Sequence, residues 1–464
     1  MYKTKVIAIF DIGKTNKKLL LFDEGLGIVH QHEEKFKTTY DEDGFECDDI
    51  ERIEIWIKSS LSELMTNDKY YVRAVNFCTY GATLVFLDGE EKRLTPVYNY
   101  LKEVPEAIQT KLFERYKGKC EFCRKTASPP LGLLLNSGIQ ILWLKQQHSE
   151  LFQKLKSILH FPQYLSYLLT GQFVSEPTSI GCHTFLWDFD KNEYHDWIKD
   201  EGITLPKPQL NTFTIKTEFE GKQLITGIGI HDSSSSLVPY IKGSKQNFIL
   251  VSAGTWCINM NPFNHRPLTI EQLKKDCLAY LSIDQKPVIS SRLFMGHIHD
   301  VNVKRMCSFF NVGENHFKNV KVNKVLIYNM LARGTQEKIF FRKGIPSGYV
   351  DESVELSQFA DFSEAYHRLM YDLTSLNVES IKLISTPDDN IKYLYVSGGF
   401  ARNMIFMQLL ASFFSDIEVC TSEIDNSSAL GAALVVWDNL NVGHPLNIKL
   451  NVRKWEPLKG LVKT

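Results

Sequence analysis

The stretch Val6-Ile7-Ala8-Ile9-Phe10-Asp11-Ile12-Gly13-Lys14-Thr15-Asn16-Lys17-Lys18-Leu19-Leu20-Leu21-Phe22 decides how the chain is read. Val6, Ile7, Ile9 and Phe10 are β-branched or aromatic and predict a strand; Leu19 to Phe22 predict a second one. The polar segment between them contains Gly-Lys-Thr, so a Walker phosphate loop is the first motif to test. That motif needs a glycine five positions before Gly13 and a helix after the threonine. Ala8 stands in the glycine position and a strand follows instead of a helix, so the motif is excluded. What remains is a hairpin whose turn offers backbone N–H groups, a hydroxyl, an amide and lysines, which suits phosphate as well as it suits plain solvent. Asp11 stands where it can hold Mg²⁺ through water. Lys14, Lys17 and Lys18 read as phosphate contacts or as a solvated charge run, with strand alternation expected to turn Lys18 away.

Working outward, residues 48–65 have helical spacing, with Ile50, Ile53, Ile57, Leu61 and Leu64 on one face. Strands are expected at 72–78 and 84–87, the first ending at Tyr80-Gly81. Residues 96–130 look irregular, 139–159 helical, and 164–169 helical up to Gly171. A strand at 222–230 runs into His231-Asp232 and four serines, a composition suited to a helix start. Residues 241–247 are polar and glycine-containing and mark a boundary between an N-terminal domain, 1–243, and a C-terminal one, 244–464. Beyond it the opening pattern restarts: strand 248–251, turn Ser252-Ala253-Gly254-Thr255, strand 256–260. A long amphipathic helix is expected at 362–384. A strand at 392–396 then enters Ser397-Gly398-Gly399, a helix at 403–414 leaves it, and 428–436 reads as a buried helix.

Composition sets the class. A chain of 464 residues is too long for one ordinary core. A net charge of −1 leaves no basic excess for nucleic acid. The opening apolar run is too short for a signal peptide or anchor, and no stretch reaches bilayer-spanning length, so a cytoplasmic protein is expected. Nine scattered cysteines argue against a disulfide framework. Cys120 and Cys123 form a CxxC, and His297 and His299 alternate as on one side of a strand. Neither pair has the further ligands that a zinc site needs.

Each of the glycine turns is weak evidence alone. Their order is more specific: Phe10-Asp11-Ile12-Gly13-Lys14-Thr15-Asn16, then Gly229-Ile230-His231-Asp232-Ser233, then Val251-Ser252-Ala253-Gly254-Thr255-Trp256, then Val396-Ser397-Gly398-Gly399. This order resembles the FGGY family of carbohydrate kinases, over residues 6–436. Within the family, His231-Asp232-Ser233, Ser252-Ala253-Gly254-Thr255-Trp256, Leu168-Leu169-Thr170-Gly171 and Thr79-Tyr80-Gly81 look like stretches of the rhamnulokinases and fuculokinases. Two stretches depart. Leu293 replaces an asparagine that binds sugar in the rhamnulokinases. Asp425-Asn426-Ser427-Ser428-Ala429 replaces a Pro-Glu-Ala tied to the adenine pocket.

The resemblance implies an α/β, two-domain actin-like ATPase (ribonuclease H-like) fold with a central cleft. It implies transfer of the γ-phosphoryl of ATP, with Mg²⁺, to a hydroxyl of a sugar, a ketose such as L-rhamnulose or L-fuculose. On it, Asp232 is the catalytic base, and Asp11 and Asp232 lie by the metal. Asp11, Gly13, Lys14, Thr15, Asn16, Lys17, Gly254 and Thr255 hold phosphates, and Gly398, Gly399 and Asn403 flank adenosine. Gly81, His231, Asp232 and Ser233 hold the sugar. Asp232 also reads as a plain helix cap, and His231 as a structural hydrogen bonder. Open alternatives are a xylulose, ribulose, gluconate or glycerol kinase, a non-kinase actin-like ATPase, and a sugar-binding regulator with a silent kinase fold. Sugar and ATP are the expected partners, with no nucleic acid and no membrane; monomer and homodimer both remain open.

Overall fold

The computed structural model describes residues 3–332, 338–440, 442, 443 and 445–458. Its frame is two seven-stranded mixed sheets, one from the first half of the chain and one from the second. In the first, strands Thr4–Ile12 and Lys17–Asp23 form the expected antiparallel hairpin, and Thr4–Ile12 also runs parallel to Tyr70–Thr79. In the second, Phe248–Ala253 pairs antiparallel with Cys257–Asn261 and parallel with Tyr393–Ser397. The two halves therefore share one plan, as the restarted pattern suggested.

A parallel pair needs a long crossover connection. In the first half the crossover carries helix Ile50–Thr66, whose start is capped by the Asp49 side chain and whose face buries Ile53, Ile57 and Leu61. In the second it carries helix Phe362–Leu383, capped by Asp361.

Two helices are exchanged between the halves. Helix Asp232–Gly243 leaves the first sheet but lays Leu237 and Tyr240 on Phe248, Leu250 and Met260 of the second. Helix Ser427–Trp437 returns from the second half and lays Ala429, Ala432 and Val436 against Ile7, Ile9 and Ala74 of the first. At their crossing a Cβ on Gly431 would lie 1.9 Å from the carbonyl oxygen of Ser235. The small residues of 428–436 are thus a close-contact surface as well as a buried one. A division at 243/244 follows the sheets, while these two helices cross it.

Three local expectations are overturned. Residues 96–130 are not irregular throughout: helices Glu106–Arg115 and Lys119–Lys125 lie there, the second carrying Cys120 and Cys123. Their few apolar contacts (Ile108, Leu112, Phe122) give too little periodicity to stand out. The helix read at 139–159 breaks at His148. It ends as helices Ser137–Gln147 and Ser149–Lys154, and Ser157–His160 is a strand against Leu84–Leu87. His297 and His299 sit on helix Met295–Phe309, where residues two apart point to different sides. All nine cysteines are free thiols. Among the described residues no group of three or more His, Cys, Asp or Glu is placed to hold a metal, and no helix is long and apolar enough to cross a membrane.

Candidate active site

The first hairpin sorts its lysines by strand parity. Asp11 is registered opposite Lys18 and Ile12 opposite Lys17. Successive residues of a strand face opposite sides, so Lys18 shares a side with Asp11 and Lys17 turns inward. Lys17 is buried, with Nζ 2.7 Å from Asp48 Oδ1, and Lys14 Nζ lies 2.8 Å from Asp48 Oδ2. The Tyr80 hydroxyl donates to the same carboxylate at 2.7 Å. Burial pushes the Asp48 carboxyl up, but the two lysines outweigh it and hold it below its ordinary range. Two expectations are thereby reversed. Lys17 is locked in a buried ion pair instead of reaching phosphates. Lys18 faces Asp11's side, donating to Asn426 Oδ1 at 3.2 Å. Lys14 is pinned over the rings of Tyr80 and Tyr100. The turn closes through Gly13 N–H donating to Asn16 O at 2.9 Å, with Thr15 exposed and Asn16 Oδ1 buried without a partner.

Asp11 lies at the carboxyl end of Thr4–Ile12 and Asp232 just past that of Ile230–His231, two strands that both run parallel to Tyr70–Thr79 between them; this is the edge where open α/β sheets bind ligands. Strand Ile230–His231 pairs with Tyr70–Thr79, and the helix begins at Asp232. The helix cap is His231, not Asp232. Asp232 is the first helical residue, about one-third exposed, and its Oδ1 accepts the N–H of Ser233 at 2.6 Å. Burial, with the Asp232 charge adding to it, pushes the Asp11 carboxyl up to about 6 despite a bond donated by Ser428 Oγ at 2.9 Å and the pull of Lys18. Two carboxylates close enough to feel each other fit a hard cation completed by phosphate oxygens and water.

His231 is buried, and both ring nitrogens are engaged. Nε2 lies 3.1 Å from Asp232 Oδ1 and 3.3 Å from Cys182 Sγ; Nδ1 lies 3.2 Å from Ser234 Oγ. Burial opposes charge on both groups, but Cys182 and Asp232 hold the His231 imidazole above its ordinary range, and His231 with His183 holds the Cys182 thiol below its own. Gly81 fits against this pair: a Cβ there would sit 2.8 Å from His231 Cδ2 and 2.9 Å from Cys182 Sγ.

The second hairpin carries no charge. Gly254 N–H donates to Trp256 O, and Gly296 N–H donates to Thr255 O, both at 3.0 Å. Gly398 has φ +86°, and a Cβ on it would meet Ala253 O at 2.6 Å, so only glycine brings the Ser397–Gly399 turn this close. A cavity of about 920 Å³ opens beside these turns, lined by Gly254, Thr255, Phe317, Tyr366, Gly399 and Asn403 among others. Asn403 caps the helix Met404–Phe413 through its Oδ1 and donates to the Tyr366 hydroxyl at 2.8 Å. A smaller cavity of about 250 Å³ is lined by Asp232, Ser233, Ser252, Ser397 and Ser428. Residues 425–429 do not line the larger cavity. Asn426 and Ser428 contact Lys18 and Asp11 instead, because their helix belongs to the first sheet.

The structure therefore gathers Asp11, Gly81, His231, Asp232 and Ser233 at one sheet edge and Gly254, Thr255, Gly399 and Asn403 around the larger cavity. Sequence reasoning missed Asp48, Ser428 and Cys182. Asp48 beside Asp49 reads as part of a helix start, and nothing in the sequence links residues 182 and 428 to positions 231 and 11.

Residues 6–211 match the model of the FGGY family of carbohydrate kinases, N-terminal domain. The chain is 25% identical over 264 residues to a protein named rhamnulokinase from Halalkalibacterium halodurans, covering 53% of this chain and 52% of that one. A protein of the same name from Oceanobacillus iheyensis is 24% identical over 254 residues, or 52% of this chain and 51% of the other. The chain spans about half the length of the curated relatives it matches. In three dimensions it is similar to a carbohydrate kinase from Novosphingobium aromaticivorans, with TM-score 0.79, 22% identity and coverage of 98% and 97% of the two chains. A xylulose kinase from Lactobacillus acidophilus has TM-score 0.75 at 16% identity, over 98% and 94%. These likenesses establish the fold as the two-domain actin-like ATPase fold.

Proposed function

We propose, for a chain that carries an N-terminal domain of the FGGY family of carbohydrate kinases, that it transfers the γ-phosphoryl of ATP to a hydroxyl of a small sugar. One observation carries the reading. Asp232 opens a helix at the sheet edge and faces a small hydroxyl-lined cavity that it shares with Ser428, whose hydroxyl donates to Asp11.

Phosphoryl transfer asks a protein mainly for alignment, charge neutralisation and a proton acceptor. Asp232 is the acceptor: its half-open carboxylate takes the proton of the attacking hydroxyl. A weak base suffices when that proton leaves late in a loose transition state. Ser233 and the backbone at Gly81 hold sugar hydroxyls. His231, with both nitrogens engaged, acts on the sugar mainly through Asp232. Gly13, Thr15 and Asn16 of the first turn and Gly254 and Thr255 of the second hold the β- and γ-phosphates. Gly398 sets the turn that lets Gly399 and Asn403 flank adenosine in the larger cavity. Asp11 and Asp232 would hold Mg²⁺, which supplies charge neutralisation on the phosphates when bound. Closure of the two halves excludes water, the competing acceptor.

For the acceptor we favour a ketose such as L-rhamnulose or L-fuculose, supported by the two relatives named rhamnulokinase. Leu293 favours a second reading, a xylulose, ribulose, gluconate or glycerol acceptor, because it stands where the resemblance to the rhamnulokinases implies a sugar-binding asparagine. A coupled ADP-release assay over L-rhamnulose, L-fuculose, D- and L-xylulose, D- and L-ribulose, gluconate and glycerol decides. A 6-deoxyketose that stimulates release most supports the first choice. Release stimulated by none of them overturns the sugar-kinase reading and leaves an actin-like ATPase or a sugar-binding regulator with a silent kinase fold.

A further inference from the structure

His231 acts through Asp232, and its ring must be held for that contact to last. Ser234, three residues on along the same helix, fixes the Nδ1 edge at 3.2 Å. One bond at one edge lets a ring pivot; a second point is needed to set its plane. At Nε2 the ring has two neighbours, Asp232 Oδ1 at 3.1 Å and the Cys182 sulfur at 3.3 Å, and only Cys182 comes from a segment distant in sequence that can fix the ring independently of the carboxylate it serves.

Cys182 comes from a segment bent into place. His183 and Phe185 have φ of +56° and +62°, backbone that non-glycine residues adopt at a cost of roughly 1 kcal/mol or more and keep only when their surroundings hold them. The surroundings do hold them. Asn136 Nδ2 donates to His183 O at 2.9 Å, and Gly138 N–H donates to Thr184 O at 2.7 Å. On the other side Gly181 lies so near the second sheet that a Cβ would be 2.7 Å from Leu281 N. Thr178 Oγ1 of the same segment accepts the His231 N–H at 3.1 Å. The segment thus holds His231 by backbone and by ring. Gly81 closes the remaining side with no room for a side chain.

We propose that Cys182 is a positioning residue of the acceptor site: its sulfur fixes the His231 ring so that Nε2 meets the Asp232 carboxylate. The substrate part of this inference rests on the sugar-kinase reading; the link between Cys182 and His231 does not.

Two measurements on the full chain test it. Protein labelled with ¹⁵N-histidine is compared as wild type, C182A, C182V and C182S, with H231Q assigning the His231 ring signals. Valine fills the space without a hydrogen bond, and serine keeps a hydrogen bond. His231 ring nitrogens shift, and the slowly exchanging ring proton is lost, in C182A and C182V; C182S retains it. Steady-state kinetics on the sugar that stimulates ADP release then show kcat falling roughly tenfold in C182A and C182V, as for a slightly misplaced reacting group. KM for ATP does not move, and C182S recovers most of kcat. Unchanged His231 signals in C182A, or C182S as impaired as C182V, overturn the proposal. If no sugar stimulates release from the wild type, the kinase reading fails by that result, and the ring signals still decide whether Cys182 sets His231.

Discussion

The two hairpins at the heart of the molecule share a topology and differ in chemistry. The first carries Asp11 and three lysines, two of them tied to the buried Asp48. The second, at Ser252–Cys257, carries no charged side chain and stands beside the larger cavity with Gly254 unobstructed. One half has kept charge and rigidity; the other has kept space. A site for a polyanion needs both: fixed charge near the reacting phosphate, and bare backbone where a bulky donor must lie close.

The largest effect expected is on the charged side. D232N should leave the fold intact and lower kcat by about a thousandfold, the range for losing a positioned general base, with little change in KM for ATP. Near-normal turnover of D232N in the ADP-release assay would remove Asp232 from the role of base. Next, D48A strands the Lys17 ammonium in the core. Breaking a buried pair costs about 4 kcal/mol, so the denaturant midpoint should drop sharply. K14A, which leaves Lys17 paired, should cost far less, and equal losses would mean that Lys17 is not the buried charge that depends on Asp48.

The second half has its own buried carboxylate, with a different consequence. Asp372 accepts the N–H groups of Ile339 and Phe340, and burial pushes it up to about 6 against the pull of Arg368. The folded state then binds this proton more tightly than the unfolded chain, whose carboxyl titrates near the ordinary 3.8. Stability therefore falls as pH rises between these two values, by up to about 3 kcal/mol, and the loss persists above them. Urea midpoints across that window should fall less steeply in D372N than in the wild type, Asp11 keeping its own share of the slope in both. The smallest effect is expected at the open turn. A Cβ on Gly254 would meet nothing nearer than 3.7 Å, so G254A should change stability by less than about 0.5 kcal/mol while raising KM for ATP. If G254A leaves KM for ATP unchanged, the turn is not in contact with the donor.

Much of the frame was legible in the chain. Alternating and β-branched runs gave both hairpins, and 3.6-residue spacing gave the helices at 50–66 and 362–383, because those periods are local. The start of a helix beside Asp232 was legible from its serines. The fates of Lys17 and Lys18 were not. Parity says that they face opposite sides, but which side is buried depends on helix Ile50–Thr66 bringing Asp48 beneath the turn. The contacts of residues 425–429 were hidden for a similar reason. Their helix is local, but the sheet it covers is set by a crossing at Gly431 with a helix from the other half.

The sequence by itself determined that this chain has two halves on one plan, that its first loop is a hairpin turn and not a Walker loop, and that Asp11, Asp232 and the glycine turns follow one another in an order that resembles the FGGY carbohydrate kinases. These follow from short-range periodicity and from the order of motifs. Only the tertiary structure decided which charges are spent inside the protein and which face the cleft. It also brought Ser428 to Asp11 and Cys182 to His231. Those outcomes depend on contacts between residues tens to hundreds of positions apart, where burial fixes which charges must be paired, and no local pattern records them.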